Sequence, residues 1–258
     1  MTTPKLAENV KGKGRHYRHP ETGDLLASVT NVLGALSKPA LPRWAAKVVA
    51  EQAWALRGSL AELDESEAVD LLKGSPWRSS GRAARRGDLV HEMLERTTTN
   101  RVGEPLTGEA ADYQTGIDAF LSEHAVVADL TEVTLFGDGY AGTADMIGSL
   151  DGVPVILDYK TNPKGALYPE VGLQLAALRY CETMVDSTDG SLVAAPQVDE
   201  AVAVAITPTG YSAMVVRDTA RCYRAFRSLL DVWQWQHDEA VLGDWDEPRL
   251  VPNDAGTA

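Results

Sequence analysis

The stretch from Thr131 to Thr161, TEVTLFGDGYAGTADMIGSLDGVPVILDYKT, constrains the fold more than any other part of the chain. Apolar and polar residues alternate, β-branched residues are frequent, and two turn signals interrupt the pattern, GDG at 137–139 and DG at 151–152. This predicts three consecutive antiparallel strands. If Asp151 and Gly152 form the centre of a type I′ turn, Leu150 faces Val153, and counting outward sets Asp145 opposite Asp158.

Around this meander the apolar period changes to that of helices. RWAAKVVAEQAWALRGSL places Ala45, Val49, Ala53 and Leu56 on one side, LAELDESEAVDLL is amphipathic and acidic, and SSGRAARRGDLVHEMLERTT reads as a basic loop or helical turn running into a helix with Leu89, Val90, Met93 and Leu94 as its apolar face. A further helix is expected over 108–124. The stretch through Tyr17 is polar and basic and is expected to fray; Ser28 or Thr30 starts the first short helix. Beyond the meander the pattern predicts a helix in ALYPEVGLQLAALRYCETMV, a polar loop, a hairpin near Thr209 and Gly210, and a last helix from Asp218. The expected fold is therefore α/β (α+β), a mixed central sheet flanked by helices. Its parts are an N-terminal helical region at 1–83, a core at 84–243 and a tail at 244–258.

Two carboxylates set directly opposite each other in a hairpin lie about 5 Å apart at Cβ, and at an effective dielectric near 20 they repel by roughly 3 kcal/mol. A cation would turn that repulsion into attraction. Strand alternation places Lys160 on the same face as Asp158 and turns Tyr159 away. Hard divalent cations take carboxylate and carbonyl oxygens, and a neighbouring ammonium can orient an activated water or stabilise charge on a phosphate. Such a set suits phosphodiester hydrolysis; the same residues also suit a surface hairpin in which Lys160 merely neutralises the two acids.

The ordered series GDLVHEMLE with His91, GTAD with Asp145, LDYKT with Asp158 and Lys160, and QLAALRY with Gln174 resembles the PD-(D/E)XK nucleases, in particular the RecB-like branch with its phage-type exonucleases. The resemblance covers about residues 84–216, with SVTNVL and the tryptophan-bearing helix after it similar to the leading region of phage-type members. It implies a restriction-endonuclease-like core. It also implies that Asp145, Asp158, His91 and the backbone carbonyl of Tyr159 hold Mg2+ or Mn2+, that Lys160 assists the attacking water, and that Gln174 contacts DNA or holds the lysine. Expected products carry a 5′-phosphate and a 3′-hydroxyl, and the expected substrate is DNA, chiefly duplex ends, in recombination or repair alongside a possible recombination partner protein. Leu178 stands where the family usually has an aromatic residue, with Tyr180 nearby. Only Cys181 and Cys222 are present, so the four-cysteine iron–sulfur cluster of some members is not expected.

Charge divides the chain. Residues 1–90 hold 14 Lys or Arg against 10 Asp or Glu, a net of +4, whereas 91–258 hold 10 against 27, a net of −17. Arg78, Arg82, Arg85 and Arg86 precede His91 beside Trp77, as a phosphate track or as a solvated basic loop, and Lys164 could extend it. His91 alone could be a hydrogen-bonding residue at the core edge, Gln174 a helix-surface amide, and Glu95 and Glu132 either supporting carboxylates or solvated ones. No apolar run is long enough for a membrane span or a secretory signal, which predicts a cytoplasmic protein without a membrane partner. The rival expectations are a non-catalytic DNA-end or protein-binding module of the same fold, an endonuclease, and a nuclease of RNA.

Overall fold

The computed structural model describes residues 6–99, 101 and 104–237. The meander is its spine: β4 (Val126–Gly137), β5 (Tyr140–Leu150) and β6 (Val153–Thr161) are antiparallel neighbours. Asp151 and Gly152 both adopt positive φ, 51° and 82°, the backbone a type I′ turn requires. The register follows from that turn, running from Leu150 opposite Val153 to Met146 opposite Leu157.

The ladder between β5 and β6 ends there. Asp145 and Asp158 do not pair through their backbones; instead the Tyr159 N–H donates to Asp145 Oδ2 at 2.7 Å. From this point β6 leans to its other neighbour, β9 (Glu200–Thr207), with which it pairs in parallel, Asp158 beside Ala203 and Lys160 beside Ala205. The crossover is α7 (Glu170–Arg179), followed by β7 (Thr183–Val185) and β8 (Leu192–Ala194) at the far edge beyond β4; β10 (Gly210–Val215) closes the opposite edge against β9. The sheet is thus mixed, partly parallel and partly antiparallel, with helices on both faces.

Two apolar layers hold it. On one face α1 (Val29–Leu33), α7 and α8 (Thr219–His237) pack Val32, Leu175, Leu178, Phe226 and Leu230 against Leu135, Ile147 and Ile156. On the other, α5 (Ser75–Thr98) and α6 (Gln114–Glu123) bring Val90, Leu94, Ile117 and Phe120 onto Met146, Leu157, Val204 and Ile206. Each of these side chains contributes roughly 1.5–3 kcal/mol by leaving water. Alternation along β6 sends Leu157 and Tyr159 to the α5 side, leaving Asp158 and Lys160 for the α7 side.

The N-terminal region carries the expected helices, α2 (Ala40–Ala55), α3 (Arg57–Leu60) and α4 (Glu65–Lys73), and Ser28 caps α1 by accepting from the Asn31 N–H. It also carries three strands that the helical reading omits. β1 (Ala7–Val10) and β2 (Gly14–Arg18) form a hairpin, and β3 (Leu25–Ser28) pairs in parallel with β5 at Tyr140 and Ala141. The expectation that the chain frays through Tyr17 is wrong, because Tyr17 is buried and its hydroxyl bonds Thr143 Oγ1 at 2.9 Å. The basic segment before His91, expected as a loop or a helical turn, is helical throughout, so the boundary at residue 83 falls inside α5. A short 3-10 turn, Gly108–Tyr113, begins what was expected as one helix to 124. Strand β7 ends the segment read as helix through Val185, and β8 lies within the expected polar loop. The expected tail at 244–258 and residues 238–243 of the core lie outside the described residues. Among those described, no helix is long and apolar enough to cross a membrane.

Candidate metal centre

The site lies where the sheet splits. On one side of β5 its first residues pair with β3 and its last five with β6, and residues 142–145 pair with neither. Gly142 permits that opening to be tightly walled: a Cβ there would lie 2.7 Å from Leu178 and 3.0 Å from Val29, so α7 and α1 could not approach β5 so closely past a larger residue. The resulting cleft of about 130 Å3 is lined by His91, Glu132, Asp145 and Gln174, and by Arg15, Tyr17, Ser28 and Thr30 from the N-terminal hairpin and the start of α1.

His91, Glu132 and Asp145 each offer an atom within 4.8 Å of the others. His91 projects from α5, its Nδ1 3.5 Å from Asp145 Oδ2 and without a hydrogen-bond partner. Glu132 faces Asp145 from the other side of β5, since Thr131 pairs with Met146 and Val133 with Ala144. Its φ of 49° is left-handed, a conformation that costs a non-glycine residue about 1–2 kcal/mol. Burial first, then the Asp145 charge with Glu95 adding, pushes the Glu132 carboxyl up to about 7, against the pull of His91 and Arg15. Two carboxylates are thus held side by side at a cost in backbone strain.

Asp158 lies in a different environment. Its side chain is 3% exposed, and Oδ1 accepts from Lys160 Nζ at 2.8 Å and Gln174 Nε2 at 2.7 Å. Gln174 Oε1 accepts in turn from Lys160 at 3.3 Å. Lys160 Nζ also lies 2.7 Å from Asp158 Oδ2, so the ammonium contacts both oxygens of the carboxylate, and Oδ2 has no hydrogen-bond partner besides that ion pair. Burial raises the Asp158 carboxyl and Asp145 adds to this, against the ammonium of Lys160. For Lys160, burial works downward and is outweighed by Asp158 and Asp145, leaving the ammonium above its ordinary range.

Asp145, Asp158, Lys160, Gln174 and His91 therefore converge. In an extended strand the N–H and C=O of one residue point to the same side, so the Tyr159 carbonyl faces the split with the N–H that holds Asp145. His91 Nδ1, which has no hydrogen-bond partner, and Asp158 Oδ2, whose one contact is the Lys160 ammonium, together with two half-buried carboxylates form a donor set whose chemistry fits a hard divalent cation. Sequence reasoning gave Glu132 no firm place, although a signal existed. Treating Asp138 and Gly139 as a two-residue turn pairs Gly137 with Tyr140 and brings Glu132 opposite Asp145. Glu95 is engaged by Arg101 and Thr131.

The four arginines divide. Arg86 bonds Glu109 at 2.9 Å and sits over the Tyr113 ring, and Arg78 donates to the Leu71 carbonyl. Arg82 and Arg85 are exposed without a carboxylate partner among the described residues. Lys164 is exposed in the loop after β6, its N–H held by Asn162 Oδ1.

No family model and no curated protein sequence matches the chain. Among solved structures it is similar to one described as "Crystal structure of SSO0001", at 17% identity over 68% of this chain and 69% of that one, with a TM-score of 0.32. So loose an overlap carries no argument about fold or chemistry.

Proposed function

We propose that the chain is a metal-dependent nuclease of the PD-(D/E)XK type, RecB-like branch, hydrolysing phosphodiester bonds at DNA ends in a cytoplasmic setting of phage-type recombination or repair. The observation that carries this reading is the pairing, across one split in the sheet, of an unneutralised His91–Glu132–Asp145 group with a buried Asp158–Lys160–Gln174 group. His91, Glu132, Asp145, Asp158 and the Tyr159 carbonyl would hold Mg2+ or Mn2+, the imidazole favouring Mn2+ over an all-oxygen set. When bound, the ion supplies Lewis-acid stabilisation of phosphate charge and a more acidic water.

The residues of the chain do the rest. The Tyr159 N–H fixes Asp145 Oδ2, the oxygen that lies beside His91 Nδ1. Gln174 bonds both Asp158 and Lys160, so the ammonium is held at one place beside the carboxylate. From there the Lys160 ammonium orients a water whose oxygen forms the new bond to phosphorus as the bond to the 3′ oxygen breaks; the water's proton passes to solvent and the leaving oxygen takes one from solvent, giving a 5′-phosphate and a 3′-hydroxyl. Arg15, the one arginine lining the cleft, faces the phosphate with positive charge.

The test compares wild type with Lys160→Ala on end-labelled linear and covalently closed circular DNA in Mg2+, Mn2+ or EDTA. Metal-dependent loss of linear DNA only, absent in the variant, is the expected result. Cleavage of circles makes it an endonuclease. Binding without cleavage of either form, or of RNA, overturns the enzymatic reading and leaves a DNA-end or protein-binding module.

A further inference from the structure

The first half of α5 is unlike the rest of the chain. Residues 75–87 hold four arginines and no acid, in a chain of net charge −13. At about 100° per residue, Trp77, Gly81, Ala84, Asp88 and His91 fall on one band of the helix, with Arg85 about 80° round from Trp77 on its flank and Arg82 about 140° round, reaching it only by the length of its side chain. Trp77 is 72% exposed, a large aromatic surface with no ring or cation stacked on it among the described residues. Arg85 is laid across the band: its Nη1 lies 3.6 Å from where a Cβ on Gly81 would stand. Among the described residues, Arg82 and Arg85 are the arginines of this helix that neither a carboxylate nor a carbonyl engages, Arg78 being held by the Leu71 carbonyl, Arg86 by Glu109 and Arg96 by Glu92. The inner end of the band is His91, at the cleft.

We propose that this face of α5 is a track for an unpaired nucleic-acid strand. Trp77 stacks on a base at the outer end, Arg82 and Arg85 neutralise phosphates along the flank, and the strand end enters the cleft at His91. A duplex keeps its base faces stacked inside, so an isolated exposed tryptophan far from the cleft suits a single strand, and arginines beside it suit the backbone. From Trp77 to His91 the helix rises ~21 Å, which spans about three to six nucleotides between an extended and a stacked strand. What happens at the cleft rests on the nuclease reading, whereas binding along the track does not.

The test is fluorescence anisotropy in EDTA with a short labelled oligothymidylate and a blunt duplex of the same length. Stacking on one aromatic residue predicts that Trp77→Ala weakens single-strand binding by about 5- to 100-fold and duplex binding by less than about twofold, with Trp77→Phe retaining most of the affinity. Replacing Arg82 and Arg85 together by Ala should lower the salt slope on the single strand by about 1.4. Unchanged single-strand affinity in Trp77→Ala, or equal weakening on both probes, overturns the track. So does a dimer that Trp77→Ala dissociates without altering oligonucleotide binding, which would give this face to a second copy of the chain. Cleavage in Mn2+ with the same variants separates the two readings. A protein that cuts DNA while Trp77→Ala binds normally loses the track and keeps the nuclease, and one that binds through Trp77 but cuts nothing keeps the track and loses the nuclease.

Discussion

The two acidic groups flanking the end of β5 are built on opposite principles. Asp158 is buried, bonded by Lys160 and Gln174, and nearly neutralised within the fold. Asp145 and Glu132 face each other beside His91 in a cleft that Arg15 also lines, neither bonded by a Lys or Arg among the described residues, and Glu132 holds a left-handed backbone to do so. The first group is a satisfied ion pair that gives the lysine a fixed place. The second is stable only to the extent that something positive joins it. A fold that needed these residues for stability alone would have no reason to leave the second group unpaired while completing the first.

The largest effect should come from Lys160→Ala. Loss of a positioned proton-handling group lowers cleavage by about 100- to 10,000-fold, while calorimetry should find Mn2+ affinity within a few-fold of wild type. Normal turnover in the variant would remove Lys160 from the chemistry and reduce the Asp158 group to a structural ion pair.

Next comes a contrast between two isosteric changes. Asp145→Asn keeps an oxygen for the Tyr159 N–H but removes charge from the repelling group. It should weaken Mn2+ binding beyond the roughly 10- to 100-fold that outer-shell changes cost, yet raise the stability of the metal-free protein by about 1 kcal/mol. Asp158→Asn leaves the Lys160 ammonium without its counter-charge and should lower metal-free stability by about 3 kcal/mol. Urea melts of the two proteins in EDTA decide the matter: if both shift in the same direction, the distinction between the groups is lost.

Glu132 sharpens the comparison through pH. Its carboxyl is raised from about 4.5 to about 7 by burial, with Asp145 adding. Between those values the folded, metal-free protein holds a proton that the unfolded chain has released. The stabilisation is complete below the ordinary carboxyl range and disappears as pH rises through 7. Partial exposure limits the loss to about 2 kcal/mol. Melting temperatures from pH 5 to 8 in EDTA should therefore fall more steeply for wild type than for Glu132→Gln, and Mn2+ should reverse the trend. Parallel profiles would mean that Glu132 is an ordinary solvated carboxylate.

How much of this was legible depends on where the information lies along the chain. The Asp151–Gly152 turn is local, and it was sufficient to place Asp145 near Asp158 and Lys160 on the face that Gln174 reaches. The splitting of β5 from β6 past Met146 was not legible, because it depends on β9 pairing in parallel from the other side and on Asp145 taking the Tyr159 N–H. The N-terminal strands were missed for a similar reason. β3 pairs with β5 across more than a hundred residues of chain, and RHYRH has too many charged residues to read as a strand until Tyr17 finds Thr143. Arg86 looked like its neighbours until Glu109, on a separate turn, was folded against it.

That long-range hairpin also sets the smallest prediction. The Asn31 side chain donates to the carbonyls of Lys13 and Arg15, both at 2.7 Å, and so ties the turn of the β1–β2 hairpin to α1 beside the cleft. These bonds lie at the surface, where two together contribute about 1 kcal/mol. Asn31→Ala should lower stability by that amount and leave Mn2+ affinity unchanged, since no ligand moves. If Arg15 presents charge to the phosphate, loosening its strand should raise KM for DNA several-fold with kcat nearly constant. A fall in kcat at constant KM would instead place the hairpin among the elements that shape the metal group, and the separation between the N-terminal wall and the acidic cluster would have to be withdrawn.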